Sequence, residues 1–339
     1  MVRRPKVDPT IALLIKCLRA TDWLKRLQPA VNKFITDQGS EYNWHTGGKG
    51  ASLISDGARI VFDFEVPDAN LDASKPLQLL VLVNGFQRTR QDFRAFRKRL
   101  RVLNSNILTL ALDNRGAGES ECDLNLCNMQ LMAQDVQVLA HEALKAFNLH
   151  QYSVLGISMG GMIAQTVASY GARQKAELNK LILVSTTAGG NLRVWPDGVN
   201  AQEAQNNFRA WPQDLPGMRA RMEKYFGERF LKSSPLLFDT LVKNMLKAFE
   251  SNSGQANERS MAQFKASAGF DGVQGLQSIE SSVLVVSGSD DKIIPRGNAL
   301  ALAQSLPRAQ LVEYSAVGHL ILIEEPDVFV HDVNRFLTS

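Results

Sequence analysis

Short apolar runs separated by stretches of helical periodicity limit this chain to very few architectures. The runs are Leu79–Val83, Ile107–Leu112, Tyr152–Leu155, Leu181–Ser185, Val283–Ser287 and Leu311–Tyr314. A strand with one wet face alternates apolar and polar residues, whereas an almost continuously apolar strand is buried on both faces, as in a parallel sheet covered by helices. Between most of the runs, apolar residues recur at helical spacing: Phe93, Phe96 and Leu100; Met132 to Phe147; Met162 to Tyr170; Ala299 to Leu306. Such alternation specifies an α/β fold, a mostly parallel central sheet with right-handed crossovers and helices on both faces. Ala58–Glu65 adds an early strand. With 45% hydrophobic and 21% charged residues among 339, the chain can bury a large core, which excludes a disordered protein. Its longest apolar runs fall far short of the ~18 residues of a membrane span.

Two stretches break the beat. Between Ser185 and Val283 no core strand is evident, and Trp195, Phe208, Trp211, Met218, Met222, Tyr225, Phe226, Phe230, Leu236, Leu237, Phe238 and Leu246 fall in helix-like patterns. Ligands of open α/β sheets bind at the carboxyl ends of the strands, where an apolar helical cap would wall the site. Residues 1–38 also read as helical, with Ile11, Leu14, Ile15 and Leu18, then Leu24, Leu27, Val31, Phe34 and Ile35, at helical spacing. Thr21 and Gly39 stand where a cap and a stop are needed. Lys16, Arg19, Lys25, Arg26 and Lys33 make this extension's polar face basic. Peripheral contact with an anionic membrane surface is one reading. Packing of the apolar stripe on the main domain or a second subunit is the commoner meaning of such a pattern. The expected organisation is an amphipathic extension over 1–38, a first core segment over 39–188, a helical cap over 189–270 and a second core segment over 271–339.

Chemistry concentrates at Gly156-Ile157-Ser158-Met159-Gly160-Gly161, which follows the run Tyr152–Leu155 and opens a helical pattern. A nucleophile on a sharp strand-to-helix turn adopts a strained backbone, so the residues two before and two after it must be small. Gly156 and Gly160 meet that demand. Serine needs a base to remove its proton, and the chain offers His45, His141, His150, His319 and His331. His319 follows Gly318 just after the run Leu311–Tyr314, at the carboxyl edge where a base is required. The other four fit surface or core packing. An acid to orient the base is available at Asp290 or Asp291, just after Val283–Ser287 and Gly288, with Glu324 and Glu325 as fallbacks.

Asn84-Gly85-Phe86 after a strand, Asp113 to Ser120, the Ser158 turn, and Gly288…Asp291…Pro295 with Gly318-His319 together resemble the α/β-hydrolase fold superfamily over about residues 50–339. The resemblance implies a triad of Ser158, Asp291 and His319. It favours Asp291 over Asp290 because the family's acid usually stands three residues after that glycine and four before that proline. It also implies an oxyanion hole formed by the backbone N–H groups of Phe86 and Met159. Asn84 stands where the family commonly has histidine, so the hydrogen bonding beside the hole must differ. Arg115, in the turn after the fourth strand of the family, reads as a hydrogen-bonding brace.

The function expected is a serine hydrolase that cleaves a carboxylic ester of a small to medium hydrophobic substrate through an acyl-enzyme. An acyltransferase, a lactonase or a C–C bond hydrolase could use the same triad, and a non-catalytic binding protein could use the same scaffold. A net charge of +4 is too weak to suggest nucleic acid. The basic stretch Arg88, Arg90, Arg94, Arg97, Lys98, Arg99 and Arg101 reads as a solvated helix face or as an attractor of anions, with Thr89 and Asp92 as a capping box. No phosphate loop or metal-ligand spacing is present, so no cofactor is implied. Three cysteines suit free thiols in a reducing compartment, and without a secretory apolar region the expected location is cytoplasmic. No sequence signal bears on oligomeric state.

Overall fold

The computed structural model describes residues 33–36, 40–54, 56–66, 71–72, 74–170, 177–197, 199–200, 202–203, 212, 214–250 and 255–339. Its strands are β1 (Lys33–Ile35), β2 (Gly48–Leu53), β3 (Arg59–Glu65), β4 (Gln78–Val83), β5 (Ile107–Leu112), β6 (Tyr152–Ile157), β7 (Leu178–Val184), β8 (Ser282–Gly288) and β9 (Ala309–Tyr314). They form one sheet in the order β1-β2-β3-β5-β4-β6-β7-β8-β9. From β5 to β9 all neighbours are parallel; β1, β2 and β3 extend the sheet antiparallel at one side.

The helices are α1 (Arg94–Leu103), α2 (Met129–Phe147), α3 (Met159–Ser169), α4 (Leu215–Glu223), α5 (Glu228–Ser233), α6 (Pro235–Glu250), α7 (Gln255–Ala268), α8 (Gly297–Ser305), α9 (Ile321–Glu324) and α10 (Pro326–Thr338). Strand alternation divides the interior into two layers. Leu79, Val81 and Val83 of β4 pack in one core with α2, α3 and α8. Leu80 and Leu82 face the other, with Phe93, α1 and α10. The near-continuous apolar runs of β4 to β8 are thus strands buried on both sides, whereas Leu311–Tyr314 is corrected: β9 is the edge strand, with Leu311 exposed and Val312 only partly covered. No described helix is long and apolar enough to cross a membrane.

Between β7 and β8 the chain leaves the sheet and builds a small core of its own from Met218, Met222, Phe226, Phe230, Phe238 and Val242. Leu320 and Ile323 of the main domain pack against it, so this cap is fastened beside the chain that follows β9. Of the other expected cap residues, Leu236 and Leu237 are exposed, and Phe208 and Trp211 lie outside the described residues.

Three further sequence expectations are corrected. Residues 33–35 are strand, not the end of a helix: they pair with Ala51, Ser52 and Leu53 of β2, and the Phe34 ring packs edge-on against Trp44 at 5.4 Å. The sheet therefore begins inside the stretch expected to be a separate extension; the rest of its helical pattern, with Thr21 and Gly39, lies outside the described residues. Thr89 makes no side-chain cap, and the Asp92 carboxylate that would complete the box is engaged by Arg88 and by the Asn84 amide. The basic stretch is neither wholly solvated nor an open anion attractor. Arg90 is buried against Asp63, Asp113 and Glu119, and Arg97 is buried against Thr109 and Glu65. Arg94 and Lys98 stay exposed.

Candidate active site

Ser158 ends β6 and caps α3 with φ 57° and ψ −119°, a backbone conformation that L residues rarely adopt. The strain is held by hydrogen bonds from Ser158 N to the Val184 carbonyl (2.9 Å) and from the Thr186 hydroxyl to the Ser158 carbonyl (2.7 Å). The small-residue rule follows from contact distances. A Cβ on Gly156 would stand 2.2 Å from the Gly160 carbonyl oxygen, and one on Gly160 would stand 2.1 Å from that of Val83. Neither neighbour is flexible, so only glycine lets β6, β4 and α3 close on this turn. Met159 is the first residue of α3, among the four whose N–H has no intrahelical acceptor, and the helix dipole favours negative charge there.

His319 and Asp291 come together from the loops after β9 and β8. His319 Nδ1 and Asp291 Oδ2 are 2.8 Å apart, and both side chains are buried. The other Asp291 oxygen accepts from the amides of Ile293 and Ile294, each at 2.8 Å. That carboxylate is thereby fixed and satisfied, as burial requires. Asp290 instead accepts from the Ser289 hydroxyl (2.8 Å). The His319 amide donates to the Tyr225 carbonyl (2.8 Å), and the Tyr225 ring meets the imidazole edge-on at 5.8 Å. Ser158 and His319 are not hydrogen-bonded to each other in this state. Ser158 nevertheless lines one pocket with Tyr225, Ile293 and Ile294, the residues that touch His319 and Asp291. Catalytic hydrogen bonds of unliganded sites commonly tighten only around substrate.

Of the remaining histidines, His45 packs on Phe147 and His141 faces Glu177; His150 and His331 are exposed. The fallback acids serve other ends. Glu324 accepts from the amides of Gly227 (2.8 Å) and Gly318 (3.0 Å), and Glu325 pairs with Arg229 of α5. Burial raises the Glu324 carboxyl above the usual range, opposed by those amides. Glu324 thus ties the loop carrying His319 to the start of α5 in the cap.

The loop bearing Phe86 is organised by residue 84. The Asn84 side-chain oxygen accepts from Gly85 N (2.8 Å), while its amide donates to the Thr89 carbonyl (2.7 Å) and to Asp92 (3.1 Å). Asparagine therefore closes this turn in place of the family's common histidine. Two residues that the sequence did not single out complete the loop. Gln87 adopts φ 54°, and its N–H donates to the Gln263 side chain of α7 at 2.8 Å. Gln263, fully buried, also donates to the Arg115 carbonyl (2.7 Å). Arg115 is a brace: its guanidinium takes both oxygens of Asp135, at 2.7 and 2.8 Å, and pairs with Asp56. No local pattern marks Gln263, whose partners lie far away in sequence.

The pocket over Ser158 is walled by Phe86, Met159, Met162, Trp195, Phe264 and Ile294, with Arg193, Arg221, Lys224 and Lys292 also contributing. Phe86 and Met159, the residues whose amides the family resemblance assigns to an oxyanion hole, line this pocket together with Ser158.

Residues 74–327 match the family model described as serine aminopeptidase, S33. The chain is 27% identical over 207 residues to the 2-hydroxy-6-oxo-2,4-heptadienoate hydrolase of Pseudomonas putida, covering 59% of this chain and 69% of that protein. It is 23% identical over 249 residues to 3-oxoadipate enol-lactonase 1 of Acinetobacter baylyi, covering 73% and 85%. An esterase from Exiguobacterium antarcticum superposes with a TM-score of 0.67 at 20% identity, covering 85% of this chain and 99% of that one.

Proposed function

Because the chain belongs to the serine aminopeptidase S33 family within the α/β-hydrolase superfamily, we propose that Ser158, His319 and Asp291 make it a serine esterase working through an acyl-enzyme. The protein is a hydrolase of this superfamily acting on ester or related bonds. The observation that carries the finer reading is the buried Asp291–His319 pair beside an apolar pocket that contains a left-handed Ser158.

In this mechanism Ser158 Oγ attacks the ester carbonyl while His319 Nε2 accepts its proton. Asp291, anchored by two amides, keeps the His319 Nδ1–H pointed at itself and stabilises the imidazolium that forms. The amides of Phe86 and Met159 receive the oxyanion, each worth about 3 kcal/mol in the transition state. Collapse of the tetrahedral intermediate expels the alcohol, protonated by His319, and leaves the acyl group on Ser158. Water, deprotonated by the same imidazole, then releases the acid.

The aromatic and aliphatic walls support an acyl or aryl group of medium size. The names of the relatives extend the chemistry to lactone and C–C bond cleavage, which the same groups could perform. Free thiols at Cys122 and Cys127 support a reducing, cytoplasmic setting. A fluorophosphonate probe tests the assignment: stoichiometric labelling of the wild type that disappears in Ser158→Ala is expected. Folded wild type that takes no label would instead indicate a binding protein. A chain-length series of nitrophenyl esters reads the pocket, and equal turnover of acetate and long-chain esters would defeat the apolar-wall argument. Product partitioning toward an added alcohol or amine would mark an acyltransferase.

A further inference from the structure

The fully buried arginines of this molecule are matched to acids. Arg90 has Asp63, Asp113 and Glu119, Arg97 has Glu65, and Arg115 has Asp56 and Asp135. Arg193, half-buried in the wall of the Ser158 pocket, is different: it forms no ion pair among the described residues. Its Nη2 donates to the carbonyls of Ser267 (2.9 Å) and Phe270 (3.4 Å), and its guanidinium lies 5.0 Å over the Trp195 ring. These contacts fix a planar cation with which no described carboxylate pairs directly; Asp271 acts on it only through its field. Burial lowers the pKa of this guanidinium, with the field of Asp271 opposing the shift.

The rest of the wall has the same sign. Arg221, Lys224 and Lys292 line the pocket with Arg193, and no Asp or Glu is among its described lining residues. A partly buried cation with no carboxylate in direct contact is stabilised by an anion that reaches it from the pocket. Guanidinium is also the group that grips a planar carboxylate through two parallel hydrogen bonds.

We propose that the substrate is an ester bearing a second, free carboxylate remote from the scissile carbonyl. Arg193 holds that carboxylate, and Lys224 and Lys292 draw it into the pocket. This rests on the reading of Ser158 as nucleophile and adds the substrate's charge to it. The apolar walls then carry the chain between the two ends, giving a half-ester of a dicarboxylic acid as the simplest form.

The test compares 4-nitrophenyl hydrogen glutarate with 4-nitrophenyl valerate, which share an acyl length and differ in the terminal carboxylate. In wild type, kcat/KM for the glutarate is expected to exceed that for the valerate by about tenfold or more, and free glutarate should inhibit competitively. In Arg193→Gln that ratio should fall toward one and the glutarate inhibition constant should rise; Arg193→Lys should lie between. Should Arg193→Gln not fold, Lys224→Gln with Lys292→Gln should lower the ratio and flatten its dependence on ionic strength. Valerate turned over as well as or better than glutarate, with no inhibition by glutarate, would overturn the carboxylate and leave the esterase reading standing. A ratio unchanged in Arg193→Gln would overturn the role of Arg193. Turnover of neither ester, with no fluorophosphonate labelling, would remove the esterase reading and this inference with it.

Discussion

Replacing Gln263 by leucine keeps the bulk of the side chain and removes its hydrogen bonds. The Gln87 N–H loses its acceptor at 2.8 Å, and the Arg115 carbonyl loses its donor at 2.7 Å. The site is fully buried, so water offers neither group an easy substitute. Two orphaned polar groups cost about 2–6 kcal/mol together. The added apolar burial of leucine returns about 1.5–3 kcal/mol, for a net loss of about 0.5–3 kcal/mol. The effect on rate has a separate origin. Gln87 adjoins Phe86, and its φ of 54° is a conformation the chain adopts only when held there. Release of that hold displaces the Phe86 amide from the oxyanion. If a third to a half of that donor's roughly 3 kcal/mol is lost, kcat falls by about tenfold, with KM nearly unmoved. Denaturant unfolding measures the first quantity and steady-state hydrolysis of a nitrophenyl ester the second. A variant less stable by the stated amount, with kcat within about twofold of wild type, would show that Gln263 fastens the cap without positioning the loop. Stability and kcat both unchanged would refute the pairing itself.

Asp291→Asn retains the shape of the His319 partner but favours the wrong imidazole tautomer; kcat should fall by about 10³–10⁴ with little change in melting temperature, and a loss under about tenfold would reject the role. Lys180→Met removes an ammonium that donates to the carbonyls of Phe336 (2.6 Å) and Leu337 (3.2 Å) at the end of α10, and should lower the unfolding free energy by about 1–2 kcal/mol, read as a shift in denaturant midpoint at unchanged slope. Glu119 is held down to about 2, first by Lys49 and then by Arg90. Because its folded value lies below its unfolded one, it stabilises the fold fully above about pH 4.5, and that gain disappears as pH falls toward 2. The carboxylate is half exposed, so the gain is about 1 kcal/mol or less, and wild type and Glu119→Gln should converge in stability near pH 2.

The parts of this molecule legible in sequence are those where one stretch of chain meets one constraint. β4 to β8 are visible because burial on two faces leaves little room for polar residues; β9, at the open edge, is half exposed and keeps Gln310 and Glu313. The Ser158 turn is visible because its strain and its close contacts demand glycine at fixed offsets, and His319 and the pair Asp290 and Asp291 because they follow strands whose ends could be placed; the choice of Asp291 within that pair comes from the family resemblance. β1 and β2 escape this logic. Three residues carry no period, and Gly48-Lys49-Gly50 is strand because Gly50 fits against Tyr42 and Phe62, contributed from elsewhere in the chain.

Polar pairing escapes it more completely. Thr89 and Asp92 have the spacing of a capping box, yet Arg88 and Asn84 take the carboxylate first. Arg90 and Arg94 are neighbours in one basic stretch, and only the arrival of Asp63, Asp113 and Glu119 buries the former while the latter stays in water. Gln263 reaches partners 176 and 148 residues away, with no motif at either end. Each of these is a relation between distant residues, and a composition or a period cannot encode it. The same holds for Arg193, which by sequence is one basic residue among 38. What separates it from Arg90 is the count of carboxylates around each. An arginine that has its acids braces the fold, and one that lines a pocket without them implies an acid on the molecule that enters.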